Sequence, residues 1–394
     1  MADQPNLDKL PPELQAMIFE LLPTSAVKAM RLVSKHYSTE AAKALWTDTT
    51  ISLDHVLESL PATFPNGLVD NVRRLSVKTE SYDWDWKNDV AFELLNKLPR
   101  DRLLAFQCQD FAVSGKVLET LLEKHSYLSE LSIFPDDNGL PDTSVVRGNS
   151  SRLQSAHIQL AYQEEIPRGI SALFERISGL QEMRLEPRWY DDNGMNWSSP
   201  PPDHWPNLQR LVICRLNLQN TMAVTAAPPY VPQLKALELL NCSRFEGFLQ
   251  LIAGQNKEGP GCRTLESFIC QTDISEFNRA TDVLARLLKL AKCLTRFILD
   301  IDGHEEHPIL SRVGPPVNPW KELQFTMFSD PWRQLRSAHD IAYIAVGCKN
   351  LERLVIGIKY DFEVNRDPFD LTELMHTSGP LINIAKMPTL KRLS

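Results

Sequence analysis

Residues 234–239 read LKALEL, and this short segment shows the pattern on which most of the chain is built. Leu234 is followed after two residues by Leu237, and after one more by Leu239. Residues two apart on an extended strand share a face, so Leu237 and Leu239 lie on one side and Glu238 on the other. Leu234 precedes the strand and anchors the turn that leads into it. The segment therefore predicts a short strand with one buried face.

The same pattern recurs along the chain, and successive copies start 25 to 39 residues apart. The copies are Trp46/Thr49/Ile51, Val72/Leu75/Val77, Leu103/Phe106/Cys108, Leu128/Leu131/Ile133, Leu153/Ala156/Ile158, Leu180/Met183/Leu185, Leu208/Leu211/Ile213, Leu234/Leu237/Leu239, Leu265/Phe268/Cys270, Leu294/Phe297/Leu299, Trp320/Leu323/Phe325, Leu351/Leu354/Ile356 and a truncated Leu390/Leu393. Between them, apolar residues at three- and four-residue steps predict helices at residues 117–125, 170–177, 245–253, 277–292 and 338–346. This period is typical of leucine-rich repeats.

A strand and a helix that each bury one face only against their neighbours build a solenoid. The sequence therefore predicts an α/β fold in which residues 51–394 form an irregular leucine-rich-repeat-like horseshoe solenoid, with parallel strands on the concave face and helices outside. Regular leucine-rich repeats place Asn or Cys three residues after the last strand position, and only Cys242 meets this requirement. Variable turns are expected for this reason. A flat α/β arrangement with separate domains is the alternative.

The first fifty residues do not follow the repeat and instead predict three short helices. Pro11 and Pro12 fit the start of the first helix, because proline lacks the N–H that would be unsatisfied there. Pro23 ends that helix. The expected N-caps are Thr24 or Ser25 for the second helix and Ser38 or Thr39 for the third, at residues 40–45.

The three helices carry apolar stripes but too few apolar residues to close a core of their own. Two interpretations are open. The helices cap the larger domain, since amphipathic helices usually bury their stripes within the chain, or they present the stripes to a partner. Trp46 begins the first repeat and is expected to face the rest of the chain, which would join the helices rigidly to the solenoid.

The residues from 10 to 46 resemble an F-box, the adaptor-binding motif of substrate receptors in cullin–RING ubiquitin ligases. The matching elements are Leu-Pro-x-Glu-Leu at 10–14, Ile-Phe at 18–19, the break at Pro23, Val-Ser-Lys-x-Tyr at 33–37 and Leu-Trp at 45–46. The resemblance implies a flexible N-terminus at residues 1–9 and an F-box helical domain at residues 10–50 that binds a Skp-type adaptor. The adaptor-binding residues it implies are Leu10, Pro11, Leu14, Ile18, Leu22, Pro23, Val27, Val33 and Tyr37.

Five loops that follow strand ends are rich in acidic and aromatic residues. In a solenoid these loops leave equivalent ends of their strands, so they are expected to crowd one rim. Exposed aromatic rings beside carboxylates suit a basic or amphipathic protein segment, through apolar anchoring and cation–π contact. The alternative is that the rings cover the core edge and the acids are simply solvated. The expected target-binding residues are Tyr82, Asp83, Trp84, Asp85, Trp86, Trp189, Tyr190, Asp191, Asp192 and Trp332.

The composition argues against several other classes of protein. A net charge of -8 without a Lys/Arg-rich run is unlike a nucleic-acid binder, and no apolar stretch approaches the roughly 18–20 residues of a membrane span. The seven cysteines form no C-x-x-C pair and follow no secretory signal, so reduced thiols in the cytoplasm or nucleus are expected. The histidines at residues 302–307 lack zinc-protease spacing. We expect no catalytic residue, metal or cofactor.

The resemblance implies the substrate-recognition subunit of an SCF-type ubiquitin ligase. The F-box would bind the adaptor, and through it the cullin, while the solenoid would bind a protein target. Such a subunit needs no catalytic residue, because it acts by bringing the target close to the conjugating enzyme. The alternatives are a scaffold without a role in ubiquitin transfer, adaptor-bound or free, and a small-ligand pocket on the concave face. An acidic rim argues against a phosphorylated target, whose recognition uses clustered arginines.

Overall fold

The computed structural model describes residues 7, 10–56, 69–80, 86–136, 152–160, 177, 179–188, 195–196, 207–219, 231–253, 263–302, 322–328, 353–359 and 392–393. The chain divides into two compact units, Met1–Gln159 and Leu160–Ser394. The predicted boundaries after residues 9 and 50 both fall within the first unit and stay predictions about domain organisation. No helix of the described ranges is long and apolar enough to cross a membrane.

The first unit begins with three helices, which are α1 (Pro12–Leu21), α2 (Thr24–Met30) and α3 (Lys35–Thr47). Proline opens α1 as predicted. The predicted caps of the other two helices are wrong. Helix α2 follows Pro23 without a side-chain cap. Helix α3 starts earlier than predicted, because the Ser34 hydroxyl accepts a hydrogen bond of 3.2 Å from the Tyr37 N–H and so caps the helix.

The three helices close a small core of their own, so the prediction that they have too few apolar residues to do so is wrong. Phe19, Val27, Tyr37 and Ala41 are its buried members. The rings of Phe19 and Tyr37 meet edge to face with 6.0 Å between their centroids, which is a favourable aromatic geometry. The half-buried residues packed against this core are Leu7, Leu22, Met30, Ala44 and Leu45.

The remaining elements of the first unit are β1 (Asp48–Ser52), α4 (Leu53–Val56), β2 (Arg74–Lys78), α5 (Lys87–Lys97), β3 (Ala105–Val113), α6 (Gly115–Lys124), β4 (Glu130–Pro135) and β5 (Ser155–Leu160), whose last residue already belongs to the second unit. The five strands are parallel and lie in chain order. Their register aligns the predicted strand positions Thr49, Leu75, Phe106, Leu131 and Ala156. Helix α6 confirms the helix predicted at residues 117–125. Helix α5 was not predicted.

Helix α3 runs into β1 without a linker. Thr47 is its last residue, and Asp48 is the first residue of the strand. The Thr47 carbonyl accepts a hydrogen bond of 3.0 Å from the Arg73 N–H. In the next turn the Arg73 carbonyl accepts one of 2.7 Å from the Leu104 N–H. Thr47, at the end of α3, therefore precedes β1 in the same way as Arg73 precedes β2 in the next repeat.

The second unit contains β6 (Glu182–Pro187), β7 (Met195–Asn196), β8 (Arg210–Cys214), β9 (Leu216–Asn217), β10 (Ala236–Leu240), α7 (Glu246–Ala253), β11 (Ser267–Asp273), α8 (Ile274–Leu290), β12 (Arg296–Asp302), β13 (Glu322–Phe328), β14 (Arg353–Lys359) and β15 (Arg392–Leu393). Its main sheet is parallel in the order β6-β8-β10-β11-β12-β13-β14-β15, and β7 pairs with β9. Helices α7 and α8 confirm two predicted helices. The helices predicted at residues 170–177 and 338–346 lie outside the described residues, apart from Ile177.

Buried apolar residues of the repeat pattern fill the core of each unit. The anchor residues Leu208, Leu234 and Leu265 are completely buried. On the strands, Phe268 stacks on Phe297 at 5.9 Å between ring centroids. Burying a side chain of this size contributes roughly 1.5–3 kcal/mol. Because the strands follow chain order and pair in parallel, each unit is a stretch of α/β leucine-rich-repeat-like solenoid.

The turn that holds Cys242 shows why the repeats are irregular. The Cys242 thiol donates to the Ile213 carbonyl of the preceding turn at 3.3 Å and so links the two turns. Arg215 and Asn241 adopt positive φ angles of 52° and 55°, which are uncommon for residues other than glycine. Individual turns therefore use backbone conformations of their own, in keeping with the expected variability.

Candidate functional site

Exposed apolar side chains concentrate in the three N-terminal helices. Seven large apolar side chains of the described residues are exposed, and five of them lie between residues 14 and 33. These five are Leu14 (45% exposed), Met17 (56%), Leu21 (83%), Leu32 (89%) and Val33 (64%). Leu104 and Tyr127, in the repeats, are the other two. A group of this kind on a small module usually marks a site of protein association.

Helix α1 is apolar on two sides. Phe19 faces the helical core, and Leu22 packs against it just beyond the helix end. Residues spaced by three or four positions share a helix face, which places Leu14, Met17 and Leu21 together on the other side. Ile18 is half-buried at the border between the two sides. We call Leu14, Met17, Ile18 and Leu21 the outer stripe of α1.

The connection between α2 and α3 carries the most exposed leucine and the most exposed valine of the described residues, and it is positively charged. Leu32 and Val33 are flanked by Lys28, Arg31 and Lys35, all of them exposed. No Asp or Glu occurs between residues 21 and 39. None of the described acidic residues forms an ion pair with these three cations. We call Lys28, Arg31, Leu32, Val33 and Lys35 the basic corner.

A buried amide holds the basic corner beside the first turn of α1. Gln15 is only 3% exposed, and its Nε2 donates to the Leu10 carbonyl at 2.8 Å. Its Oε1 lies 2.6 Å from His36 Nε2. A carbonyl only accepts hydrogen bonds, so the amide nitrogen must face Leu10 and the ring nitrogen of His36 must carry the proton. The start of α3 therefore lies next to the exposed Leu14.

The predicted adaptor-binding residues occupy three different environments. Val27 and Tyr37 lie in the helical core, where they support the surface and offer little contact area. Met17, Leu21 and Leu32 are exposed but were not among the predicted contacts. For Met17 and Leu21 the helical spacing from Leu14 is the signal that identifies them. The remaining predicted residues are exposed at Pro11, Leu14, Pro23 and Val33, and half-buried at Leu10, Ile18 and Leu22.

Most of the predicted target-binding residues lie outside the described residues. This applies to Tyr82, Asp83, Trp84, Asp85, Trp189, Tyr190, Asp191, Asp192 and Trp332. Trp86 is described and half-buried, and its carbonyl accepts a hydrogen bond of 3.1 Å from the Val90 N–H at the start of α5. The acidic and aromatic rim therefore stays a prediction.

The sheet of the first unit carries a cluster of partly exposed polar side chains on the face that is not packed against helices. An irregularity in β3 places this cluster. The register between β3 and β4 shifts between Cys108 and Ala112, and Gln109 lies in this shift. Gln109 Nε2 lies 2.6 Å from Ser132 Oγ and 2.8 Å from His157 Nδ1. Ser132 Oγ also lies 3.2 Å from His157 Nδ1, so the three side chains contact one another. Gln109, Ser132 and His157 therefore form one hydrogen-bonded cluster that joins β3, β4 and β5.

Charged residues on the solvent-exposed faces of the sheets form ion pairs with one another. In the first unit, Arg74 makes a bidentate pair with Glu130, with distances of 2.7 and 2.6 Å. In the second unit, Arg210 bridges Glu182 at 2.9 Å and Glu238 at 2.8 Å. These pairs stabilise neighbouring turns only modestly, because exposed ion pairs are worth roughly 0.2–1 kcal/mol each.

The described residues contain no group of three side chains arranged to hold a metal ion. Four of the five described cysteines, Cys108, Cys214, Cys242 and Cys270, are buried thiols, and Cys293 is exposed. Burial raises the pKa of Cys214 to about 11 and that of Cys242 to about 12. Thiols with pKa values this high are neutral at physiological pH and therefore poor nucleophiles.

The chain was compared with known sequences and structures. No protein-family model and no curated protein matches the sequence. Among solved structures, the leucine-rich repeat-containing protein LegL7 from Legionella pneumophila has a TM-score of 0.36 and 10% identity, covering 80% of this chain and 99% of that one. A leucine-rich-repeat protein of Leptospira interrogans has a TM-score of 0.30 and 13% identity, covering 84% and 92%. Both scores are too low to support a fold assignment, which rests on the strand pairing.

Proposed function

We propose that this protein is the non-catalytic substrate-recognition subunit of an SCF-type ubiquitin ligase, acting in the cytoplasm or nucleus. Its N-terminal helices bind a Skp-type adaptor, and its repeats bind the protein to be modified. The observation that carries this proposal is the exposure of the outer stripe of α1 and of Leu32 and Val33. These side chains lie within the segment that resembles an F-box.

The energetics favour a partner on this surface. The described repeats bury nearly all of their large apolar residues, whereas the helices leave five exposed. Covering each of these with a complementary apolar surface contributes roughly 1.5–3 kcal/mol. Amphipathic helices that dock into apolar grooves use residues spaced in the same way as Leu14, Met17 and Leu21. The surface thus has the form expected for binding to helices of another protein.

The junction between α3 and β1 supports the receptor role. A substrate receptor accelerates transfer by keeping its target near the charged conjugating enzyme, which requires a defined distance and orientation. The helices continue into the first strand without a linker. The adaptor-binding helices and the first repeats would therefore move together.

The test replaces two exposed residues of the outer stripe in the full-length chain. Met17→Gln with Leu21→Gln removes apolar contact area and leaves the helical core intact. We expect binding to a purified Skp-type adaptor to weaken at least tenfold, because about 1.4 kcal/mol corresponds to that factor. Leu104→Gln, an exposed apolar residue of the repeats, is the matched control and should change nothing. Unchanged binding of the double variant would contradict the proposal.

Co-purification separates the ligase subunit from the alternative of a scaffold. Adaptor and cullin recovered together support the ligase role. Adaptor recovered without cullin, from cells that contain both, supports a scaffold outside ubiquitin transfer. The absence of both from the purified full-length chain would leave a free repeat scaffold.

The target surface is proposed from sequence. The acidic and aromatic loops after the strands would hold a basic or amphipathic segment of the target. Replacing Asp83, Asp85, Asp191 and Asp192 by Lys should reduce the set of proteins captured from a lysate and identified by mass spectrometry. Adaptor binding should be unaffected. An identical set of captured proteins would rule out this rim as the target surface.

A further inference from the structure

We propose that the basic corner docks on an acidic strip beside an apolar pocket of the same adaptor protein, and that this contact controls the rate of association. The inference rests on the proposed function, because it concerns the same partner and adds a role for the three cations beside Leu32 and Val33. It adds the electrostatic character of the adaptor's surface, which the outer stripe of α1 does not specify.

The charges of the corner are not neutralised by the described part of the chain. Lys28 and Arg31 are three residues apart and share a side of α2, and Lys35 opens α3. The acidic residues that bound this segment in sequence are Glu20 and Glu40. Glu40 pairs with Lys43 at 2.8 Å. In a chain of net charge -8, the corner is thus a local positive region of opposite sign.

The apolar residues of the corner determine what kind of partner fits. Leu32 is 89% exposed and Val33 64% exposed, between the three cations. A surface that matches both features has an apolar pocket with carboxylates at its border. Complementary charge of this kind accelerates and orients association more than it increases affinity. A nucleic acid would match the cations but would leave both apolar side chains in water.

A membrane surface is a poorer match than a protein. Helices that lie in the membrane interface bury a long apolar face, whereas α2 has seven residues and the corner offers two apolar side chains. The bond between Gln15 and His36 also places the start of α3 beside Leu14 of the outer stripe. One partner that covers the stripe therefore extends naturally onto the corner.

The experiment reverses the charge of the corner and measures binding kinetics to a purified Skp-type adaptor. We expect Lys28→Glu with Arg31→Glu and Lys35→Glu to lower the association rate constant at least tenfold at 50 mM NaCl. This lies within the range of about 10- to 1,000-fold for electrostatic steering. At 500 mM NaCl the difference should shrink to less than threefold, since screening acts over roughly 4–5 Å there. The dissociation rate should change less.

A matched control reverses three exposed charges elsewhere, with Lys97→Glu, Arg100→Glu and Arg263→Glu. It gives the same net charge and should associate within twofold of the wild type. If the corner variant does not fold, as judged by circular dichroism, the milder Arg31→Gln with Lys35→Gln variant replaces it, with an expected threefold decrease.

Three outcomes are decisive. A corner variant that associates within twofold of the wild type, while Met17→Gln with Leu21→Gln weakens binding, overturns this inference and leaves the proposed function standing. Wild-type protein that binds no Skp-type adaptor overturns both. The third outcome is that phosphatidylserine vesicles capture the wild-type protein but not the corner variant, and that the variant still binds the adaptor. This would assign the corner to membranes and would also overturn the inference.

Discussion

Gln15 and His36 are joined by a hydrogen bond of 2.6 Å between Oε1 and Nε2, although 21 residues separate them in sequence. The other end of the same amide donates to the Leu10 carbonyl at 2.8 Å. One buried side chain therefore links the segment before α1, the first turn of α1 and the start of α3. These are the regions that carry Leu14 and Val33 to the surface.

Replacing Gln15 should loosen this arrangement. Gln15→Met keeps the size of the side chain but removes both hydrogen bonds and leaves the Leu10 carbonyl without its donor. We expect the free energy of unfolding to fall by about 1–3 kcal/mol, as for other buried hydrogen bonds that lose a partner. Urea unfolding monitored by circular dichroism measures the change. Thr39→Ala, which removes an exposed side-chain bond to the Lys35 carbonyl, is the control and should cost less than about 0.5 kcal/mol.

Lys124 stabilises the contact between α5 and α6. Its Nζ donates to the carbonyls of Leu95 at 2.9 Å and Asn96 at 2.5 Å, which lie in the last turn of α5. Carbonyls at a helix end lack partners within the helix and favour a positive charge. Lys124→Met should therefore destabilise the chain by about 1–2 kcal/mol in urea unfolding.

The matched control for Lys124 is Lys116→Met on the same helix. Lys116 Nζ lies 3.9 Å from the centroid of the Phe92 ring, an exposed cation–π contact worth about 0.5–1 kcal/mol. A loss at Lys124 no larger than the loss at Lys116 would contradict this prediction, because the two carbonyl bonds would then contribute no more than one exposed cation–π contact.

His125 should make the first unit sensitive to mild acid. Its ring is buried, and within the described ranges neither ring nitrogen has a hydrogen-bond partner. Burial, with a smaller effect from the neighbouring Lys124, lowers the pKa of His125 to about 4. The unfolded chain, with a pKa near 6.5, binds the proton more readily. Stability is therefore complete above about pH 6.5 and decreases as the pH falls towards 4.

The measurement is the free energy of unfolding between pH 4 and 8. Between the two pKa values, one such histidine changes the free energy of unfolding by up to about 1.4 kcal/mol per pH unit. His125→Leu should flatten the profile in this window and leave it unchanged between pH 7.5 and 9. An equal slope in the variant would assign the acid sensitivity to other groups.

The described cysteines should differ sharply in reactivity. Cys108, Cys214, Cys242 and Cys270 are buried, whereas Cys293 is exposed. Burial raises the pKa of Cys214, Cys242 and Cys270, so little thiolate is present at pH 8. Brief treatment with N-ethylmaleimide should label Cys293 and leave the four buried cysteines unmodified until urea is added. Peptide mass spectrometry identifies the labelled residues. Rapid labelling of Cys242 in the native protein would contradict its burial and its bond to the Ile213 carbonyl.

The repeat architecture follows closely from the sequence pattern. Each repeat has an anchor residue followed by two strand positions that share a face. This spacing matches the two-residue period of a strand and allows all three residues to be buried. Leu234, Leu237 and Leu239 illustrate this, and all three are completely buried. Trp46 occupies the first anchor position but is only half-buried, because a helix and not a repeat turn precedes it.

Other features depend on contacts that sequence spacing does not reveal. The register shift around Gln109 in β3 leaves the spacing of the preceding pattern unchanged, so the pattern alone does not detect it. Helix α5 directly follows a segment of sequence rich in tryptophan and aspartate, and this composition gives no sign of a helix start. In α1, Phe19 and Met17 are both apolar, and packing against α3 decides which one is buried. Ser34 caps α3, although Ser38 and Thr39 further along the chain are equally suitable cap residues by sequence.

The bond from the Arg73 N–H to the Thr47 carbonyl has a thermodynamic consequence for the chain. Unravelling the last turn of α3 also removes a hydrogen bond from the turn that leads into β2, so opening of the helices and opening of the first strands are coupled events. A ligand that binds the folded helices therefore lowers the population of open states in β1 and β2 as well. The earliest repeats should thus become more rigid whenever the helices are occupied.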